Sequence, residues 1–312
     1  MTLDLVIHYG GTAFLAAFAF FSSSLGQARI GKAALKASDR QPGDDRAIKK
    51  IFFTGIALSE TVALIALGAA IYLFYSPITS PVQIYVRIAV YAAIIVPCVL
   101  ISYLGSASIA ESLQSAARQP FLVQQILNFM LVTQSLMQTP VIFCAIFAFI
   151  ITMQAKQITT LPAALQLSAA GIMLALCSIG PCIGLSYFIK HASKSLRINR
   201  ASFGQLFSCT FISQAIIETP FLLGLATTIV LLQLEVTTIS KGITLICAAL
   251  ALGGCTIPVS IASAYASAKI LPGVAANPQH APKLARFSIF CQAFIDTTAI
   301  YGLIIALLII SF

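Results

Sequence analysis

Eight long apolar segments restrict this chain to one kind of architecture. They fall near residues 5–28, 48–75, 84–112, 121–153, 161–190, 203–232, 241–269 and 284–311. About 20 apolar residues in a helix cross a hydrocarbon core of about 30 Å. In that medium every backbone polar group needs a partner within the protein, so only helices and closed barrels can span it. Barrel strands alternate apolar and polar residues over about ten positions. The run from Ala299 to Ile310 is continuously apolar instead. Only 9% of residues are charged, where a soluble domain carries about a quarter. The expected fold class is all-α integral membrane, with eight transmembrane helices.

The formal charge of +9 invites a nucleic-acid reading, and the distribution of the cations argues against it. Seven cations (Arg29, Lys32, Lys36, Arg40, Arg46, Lys49, Lys50) flank the first connection. Arg118 marks the third, Lys190, Lys194, Arg197 and Arg200 the fifth, and Lys269, Lys283 and Arg286 the seventh. Basic residues therefore concentrate in alternate connections, which are expected to be cytoplasmic, with both termini on the opposite side. No nucleic-acid partner is expected. The N-terminal residues lack a basic segment and a clear small-residue cleavage site, so no cleaved signal peptide is expected. The eight cysteines lie in apolar segments without metal-ligand spacing and read as small packing residues.

Four positions recur at a near-constant interval: Glu60, Gln138, Glu218 and Asp296, spaced by 78, 80 and 78 residues. Each precedes a threonine (Thr61, Thr139, Thr219, Thr297) inside an otherwise apolar segment. Carboxylates at membrane depth are costly and mark functional sites by default. The period divides the chain into hairpins over 1–80, 81–157, 158–238 and 239–312, of which the second carries Gln138 in place of an acid. The polar connections repeat in register with them. Arg40-Gln41-Pro42, Arg118-Gln119-Pro120, Arg197-Ile198-Asn199 and Ala276-Asn277-Pro278 precede the four positions by 20, 20, 21 and 20 residues. At about 1.5 Å per helical residue, that spacing puts each site well inside the bilayer. The first helix of each hairpin is rich in small residues, as in Gly180-Pro181-Cys182-Ile183-Gly184. Such residues suit generic helix packing or an inner ring of closely spaced helices.

A small-residue first helix, an Arg-Gln-Pro loop and a second-helix carboxylate twenty residues on together resemble the F0 rotor proteolipid of the F-type ATP synthases, the c-type member of the rotary ATPase proteolipid family. The strongest local matches are Ala117-Arg118-Gln119-Pro120 and the stretch from Asp296 to Leu303. The resemblance covers the whole chain as four tandem hairpins. It departs from the family's usual single hairpin, and the loss at Gln138 is similar to that in V-type proteolipids. The resemblance implies copies of the chain closing into a c-type rotor ring. It further implies a stator protein with an essential arginine, and central-stalk proteins at the cytoplasmic loops, which Arg40, Gln41, Pro42, Arg118, Gln119 and Pro120 would face. The bilayer implied is a bacterial inner membrane, and the protein would translocate ions without itself being catalytic.

Low dielectric disfavours a charged carboxylate, so Glu60, Glu218 and Asp296 can sit protonated and neutral against lipid. Meeting water and the stator arginine would release the ion. Gln138 cannot ionise and forms a degenerate site. The transported ion is H⁺ or Na⁺, and no bound cofactor is expected. In sodium-type members a first-helix glutamine, the acid and the following hydroxyl hold the metal. Gln27, Glu60 and Thr61 fit that pattern, whereas the same offset gives Gly105, Gly184 and Ser263 elsewhere. That incompleteness favours protons. Thr61, Thr219 and Thr297 can serve as ligands or bond back to the preceding turn. Gln134, Gln214 and Gln292, four residues before their sites, can orient the site side chains or join helices. Pro140 and Pro220 predict bends just beyond the sites of hairpins two and three. Glu111 and Glu235 read as interfacial.

The reading is a rotor-ring component with three ion sites per four hairpins. Three chains would make a ring of twelve hairpins and nine sites. The alternatives are a non-rotary, repeat-built, ion-coupled secondary transporter, whose acids would converge on one midplane site, and a purely structural proteolipid.

Overall fold

The computed structural model describes residues 2–41, 43 and 45–312, the side chains of Thr2 and Asp45 excepted. Among these residues, eight spans are long and apolar enough to cross a membrane. They are built from helices α1 (Thr2–Arg40), α2 (Asp45–Phe74), α3 (Gln83–Arg118), α4 (Val123–Met137), α5 (Thr139–Ala155), α6 (Leu161–Ser195), α7 (Phe203–Gln233), α8 (Ile239–Ala268), α9 (Leu271–Ala276) and α10 (Ala281–Ser311). The described residues are otherwise short turns and linkers, and the class is all-α, as the apolar runs require.

The helices are longer than their apolar cores. α1 continues to Arg40, well beyond the apolar segment expected to end near residue 28. At about 1.5 Å per residue it exceeds the hydrocarbon thickness by more than 20 Å. The extension is amphipathic: Ile30, Ala33 and Ala37 are buried, while Lys32, Lys36 and Arg40 are exposed. Packing on one face therefore carries the helix out of the membrane. In hairpin four the corresponding extension breaks after Ala268 and resumes as α9, where Pro272 has no N–H to continue the ladder.

First helices α1, α3, α6 and α8 pack successively side by side as one layer, and second helices α2, α4–α5, α7 and α10 cover them as another. The small residues make the first layer close. A Cβ on Gly180 would lie 2.7 Å from the Thr256 carbonyl oxygen, and one on Gly184 would lie 2.7 Å from that of Ser260. Gly26 meets the Ser102 backbone in the same way. Hydroxyls add polar contacts between the helices, with Ser115 donating to the Ser193 carbonyl at 2.7 Å. The close helix packing expected of these small residues is present in the first-helix layer. Cys98, Cys144, Cys177, Cys182 and Cys209 are buried among these helices, and all eight cysteines are free thiols.

The prolines after the sites behave differently. In hairpin two the helix breaks at Gln138, between α4 and α5. Pro140 cannot donate to the Leu136 carbonyl, and the Thr139 hydroxyl does so instead at 2.7 Å. In hairpin three α7 remains one helix through Pro220, so no break accompanies that residue.

Candidate ion-binding site

All four register positions lie on the second-helix layer, and one of them, Gln138, is bonded to residues of the neighbouring hairpin. Gln138 spans the seam between hairpins one and two. Its Nε2 donates to the Leu58 carbonyl at 2.6 Å, and its Oε1 accepts the Thr61 hydroxyl at 2.8 Å. Thr61 also lies 2.7 Å from the Leu58 carbonyl, so the same hydroxyl is placed for the back-bond and for the cross-hairpin bond. The carboxamide is buried, with both ends engaged. A protonated carboxylic acid offers the same pair of functions, one accepting oxygen and one donor. Gln138 thus holds permanently a geometry that an acid would hold only when protonated.

Glu60 sits at the free edge of hairpin one. Gln27 Nε2 donates to its Oε1 at 3.2 Å, joining α1 to α2. Phe20, Ser23, Ser24, Ala63 and Leu64 line the open cleft around this pair, a space of ≈ 240 Å³. Thr61 bonds instead to Gln138, so these three residues are not all gathered on one centre within the chain.

Glu218 is 8% exposed, between hairpins two and three, with Thr139 of hairpin two beside its carboxyl group. Thr139 holds the register of Thr61, but its hydroxyl donates to the Leu136 carbonyl rather than across the seam. Asp296 is half-buried on α10. One carboxyl oxygen of each, Glu218 Oε1 and Asp296 Oδ1, is buried without a partner. Among the described residues no cation pairs with either acid, and no cluster of three or more His, Cys, Asp or Glu side chains could hold a metal ion.

The supporting residues divide. Thr219 and Thr297 bond back to the carbonyls of Ala215 at 3.2 Å and Phe294 at 2.6 Å, not to the acids. The glutamines one turn before the sites join helices. Gln134 donates to Ser108 Oγ, Gln214 to the Thr133 carbonyl at 2.9 Å, and Gln292 to the Ser213 carbonyl at 3.3 Å and Ser263 Oγ at 3.2 Å. Ser263 holds the register of Gln27, yet it meets Gln292 rather than Asp296. The Leu58 carbonyl was invisible to side-chain reasoning; only the threonine repeated after every site hinted that neighbouring hairpins share their sites.

At the loop end, Arg40 and Arg118 are exposed, and Gln41 caps α1 through its N–H to the Ala37 carbonyl at 3.2 Å. Pro42 lies outside the described residues. Pro120 opens a short 3₁₀ turn, and Gln119 Nε2 reaches the Arg197 carbonyl at 3.4 Å. Arg197 turns back to Glu111 in a 2.6 Å ion pair, so Glu111 ties hairpins two and three together. Glu235 is exposed.

The family model for the ATP synthase C subunit matches this chain twice, over residues 11–73 and 246–309, which lie in hairpins one and four and include Glu60 and Asp296. No individual curated protein matches the chain.

Proposed function

We propose that this chain, which the family model for the ATP synthase C subunit matches in its first and fourth hairpins, is a rotor-ring proteolipid of a rotary ATP synthase or ATPase. It carries H⁺ on Glu60, Glu218 and Asp296, with Gln138 as an uncharged position. The observation that carries this reading is the seat of Gln138 on Leu58 and Thr61. It supports the reading because Gln138 lies in the seam between adjacent hairpins, the arrangement a rotor advancing one hairpin at a time requires.

Ring closure extends the same relationship beyond the chain. The apolar cores of the α1, α2 and α10 spans are 28, 28 and 22% buried, against 72% for α6. The outer hairpins therefore keep faces that a second copy would cover. With that copy in place, Phe294 and Thr297 of one chain take the positions toward Glu60 of the next that Leu58 and Thr61 take toward Gln138. Closed symmetry is the usual outcome for such head-to-tail contacts when the rotation closes. A stator arginine and central-stalk proteins at the exposed Arg40 and Arg118 loops complete the machine, with those loops cytoplasmic.

Sodium is the second reading, favoured by the Gln27–Glu60 bond in hairpin one. Protons are preferred because hairpins three and four lack an equivalent first-helix oxygen on their acids among the described contacts. A secondary transporter would bring the acids to one centre, whereas here they occupy separate hairpins.

The test is ATP-driven ion pumping in vesicles containing the assembled complex. Replacing Glu60 and Glu218 by Gln and Asp296 by Asn together abolishes pumping in this account. Undiminished pumping by that triple variant would refute it.

A further inference from the structure

Two glutamines each leave half of a carboxamide unused near an acid. Gln214 and Gln292 are 0% exposed and lie one turn before Glu218 and Asp296 on the same helices, α7 and α10. Their nitrogens are committed to the preceding hairpin, Gln214 Nε2 to the Thr133 carbonyl at 2.9 Å and Gln292 Nε2 to the Ser213 carbonyl at 3.3 Å. A backbone carbonyl only accepts, so the nitrogen must be the end that faces it, and the amide cannot turn over without losing that bond. What remains at each position is the oxygen. Gln214 Oε1 and Gln292 Oε1 are both buried without a partner.

The acids one turn later carry the matching defect. Glu218 Oε1 and Asp296 Oδ1 are likewise buried without a partner. Side chains four residues apart share one helix face, with Cβ atoms about 5–6 Å apart. Each also lies back over the turn before its own Cα, a direction that carries Glu218 toward Gln214 and Asp296 toward Gln292. Two acceptor oxygens cannot satisfy each other, and an ionised carboxylate offers acceptors alone. One proton on the acid changes this. Its hydroxyl can then donate to the amide oxygen, and a single bond satisfies both orphaned atoms. Buried polar atoms in native folds are nearly always paired, and here the same remedy serves two pairs at the same register.

The rest of the repeat agrees. Hairpin one has Ile56 at this register, and its acid is met from the first helix instead, by Gln27. Hairpins three and four have Gly184 and Ser263 at the register of Gln27. Each of the three acids is thus accompanied by a glutamine, drawn from whichever helix of the hairpin carries it. In hairpin two Gln134 keeps the register, but Gln138 cannot ionise, and Gln134 Nε2 donates to Ser108 Oγ within its own hairpin.

Resting on the reading of Glu218 and Asp296 as proton carriers, we propose that Gln214 and Gln292 are positioning residues, each accepting the hydrogen bond of its protonated acid. The preceding hairpin holds each amide by its nitrogen, so a loaded site is built across a seam. Hairpin two sets the acceptor for Glu218, and hairpin three sets the one for Asp296. The bond exists only while the acid holds its proton, so the glutamine distinguishes a loaded site from an empty one.

The test is infrared spectroscopy of vesicles containing the assembled complex, recorded as the difference between acidic and alkaline buffer. Glu218→Gln and Asp296→Asn assign the carboxyl carbonyl band of each acid. Gln214→Met and Gln292→Met then remove one acceptor each at similar side-chain volume. Each should move the band of its own acid to higher frequency, because that hydroxyl has lost its acceptor, and leave the band of Glu60 in place. Ser263→Ala is the structural comparison. It removes the 3.2 Å contact of Gln292 Nε2 with Ser263 Oγ but leaves the amide oxygen, so the Asp296 band should stay where it is. The two sites are separate, so one decides the test if the variant at the other does not assemble. Bands that titrate but ignore both glutamines overturn this inference and leave ion carriage standing. Absence of any titrating carboxyl band overturns both. Bands that Na⁺ removes at fixed pH, and only while the glutamines are present, would assign the paired oxygens to a metal ion and overturn the hydrogen bond.

Discussion

The Thr61 hydroxyl donates to Gln138 Oε1 across the first inter-hairpin seam at 2.8 Å, one residue beyond Glu60. This bond links the site of one hairpin to the register position of the next. The amide completes the arrangement through Leu58, so a residue that cannot ionise still occupies a fully formed seat.

Gln138→Glu should therefore create a fourth working site with little disturbance. The protonated acid can donate to the Leu58 carbonyl and accept from Thr61, keeping both bonds. Sites per chain rise from three to four while the hairpin number stays fixed. The limiting ion gradient sustained by a given ATP supply should fall in the ratio of three to four. A gradient equal to that of the parent would show that the new carboxyl does not carry ions.

Thr61→Val keeps the shape of the side chain and removes the hydroxyl. Gln138 is 7% exposed, so its oxygen would be left buried without a partner. The expected loss is about 1–3 kcal/mol. Thermal unfolding in detergent measures it, and the combined Thr61→Val, Gln138→Leu variant should recover part of the loss because both polar partners are then absent.

The glycines of the first-helix layer are not equivalent. Gly180→Ala would place a methyl group 2.7 Å from the Thr256 carbonyl oxygen, against a backbone that cannot turn aside. A cost of about 1–3 kcal/mol is expected from the forced separation of α6 and α8. Gly254→Ala meets nothing within 4 Å and should be neutral or slightly stabilising within the chain. Thermal stability of the two variants, compared side by side, checks the contrast.

Glu111 and Arg197 bridge hairpins two and three at 2.6 Å, with side chains 19 and 11% exposed. Removing either partner should cost about 1–3 kcal/mol, less than a fully buried pair because water reaches both. A double-mutant cycle with Glu111→Gln and Arg197→Gln should return a coupling energy of about 0.5–2 kcal/mol. Additive effects would mean that the pair does not act as a clamp.

The spans and their pairing into hairpins were legible because each follows from one-dimensional spacing. Apolar runs of sufficient length must be helices in lipid, and a constant interval between loop and register position sets the repeat. The roles of polar helpers were not legible. Gln214 and Gln292 share a helix face with their acids, yet their amides go to the Thr133 and Ser213 carbonyls of the preceding hairpin. Spacing along one helix gives the face of a residue, and the facing helix decides what that side chain meets. The same limit applies to Pro140 and Pro220, which hold equal register but break only one helix.

Mapping carbodiimide adducts on the assembled protein tests the central claim most directly, because the reagent couples to protonated carboxyls in apolar surroundings. Adducts should form at Glu60, Glu218 and Asp296, none should form in hairpin two, and Gln138→Glu should add a fourth at that position. Absence of adducts at the three acids, with modification confined to exposed carboxyls such as Glu235, would contradict it.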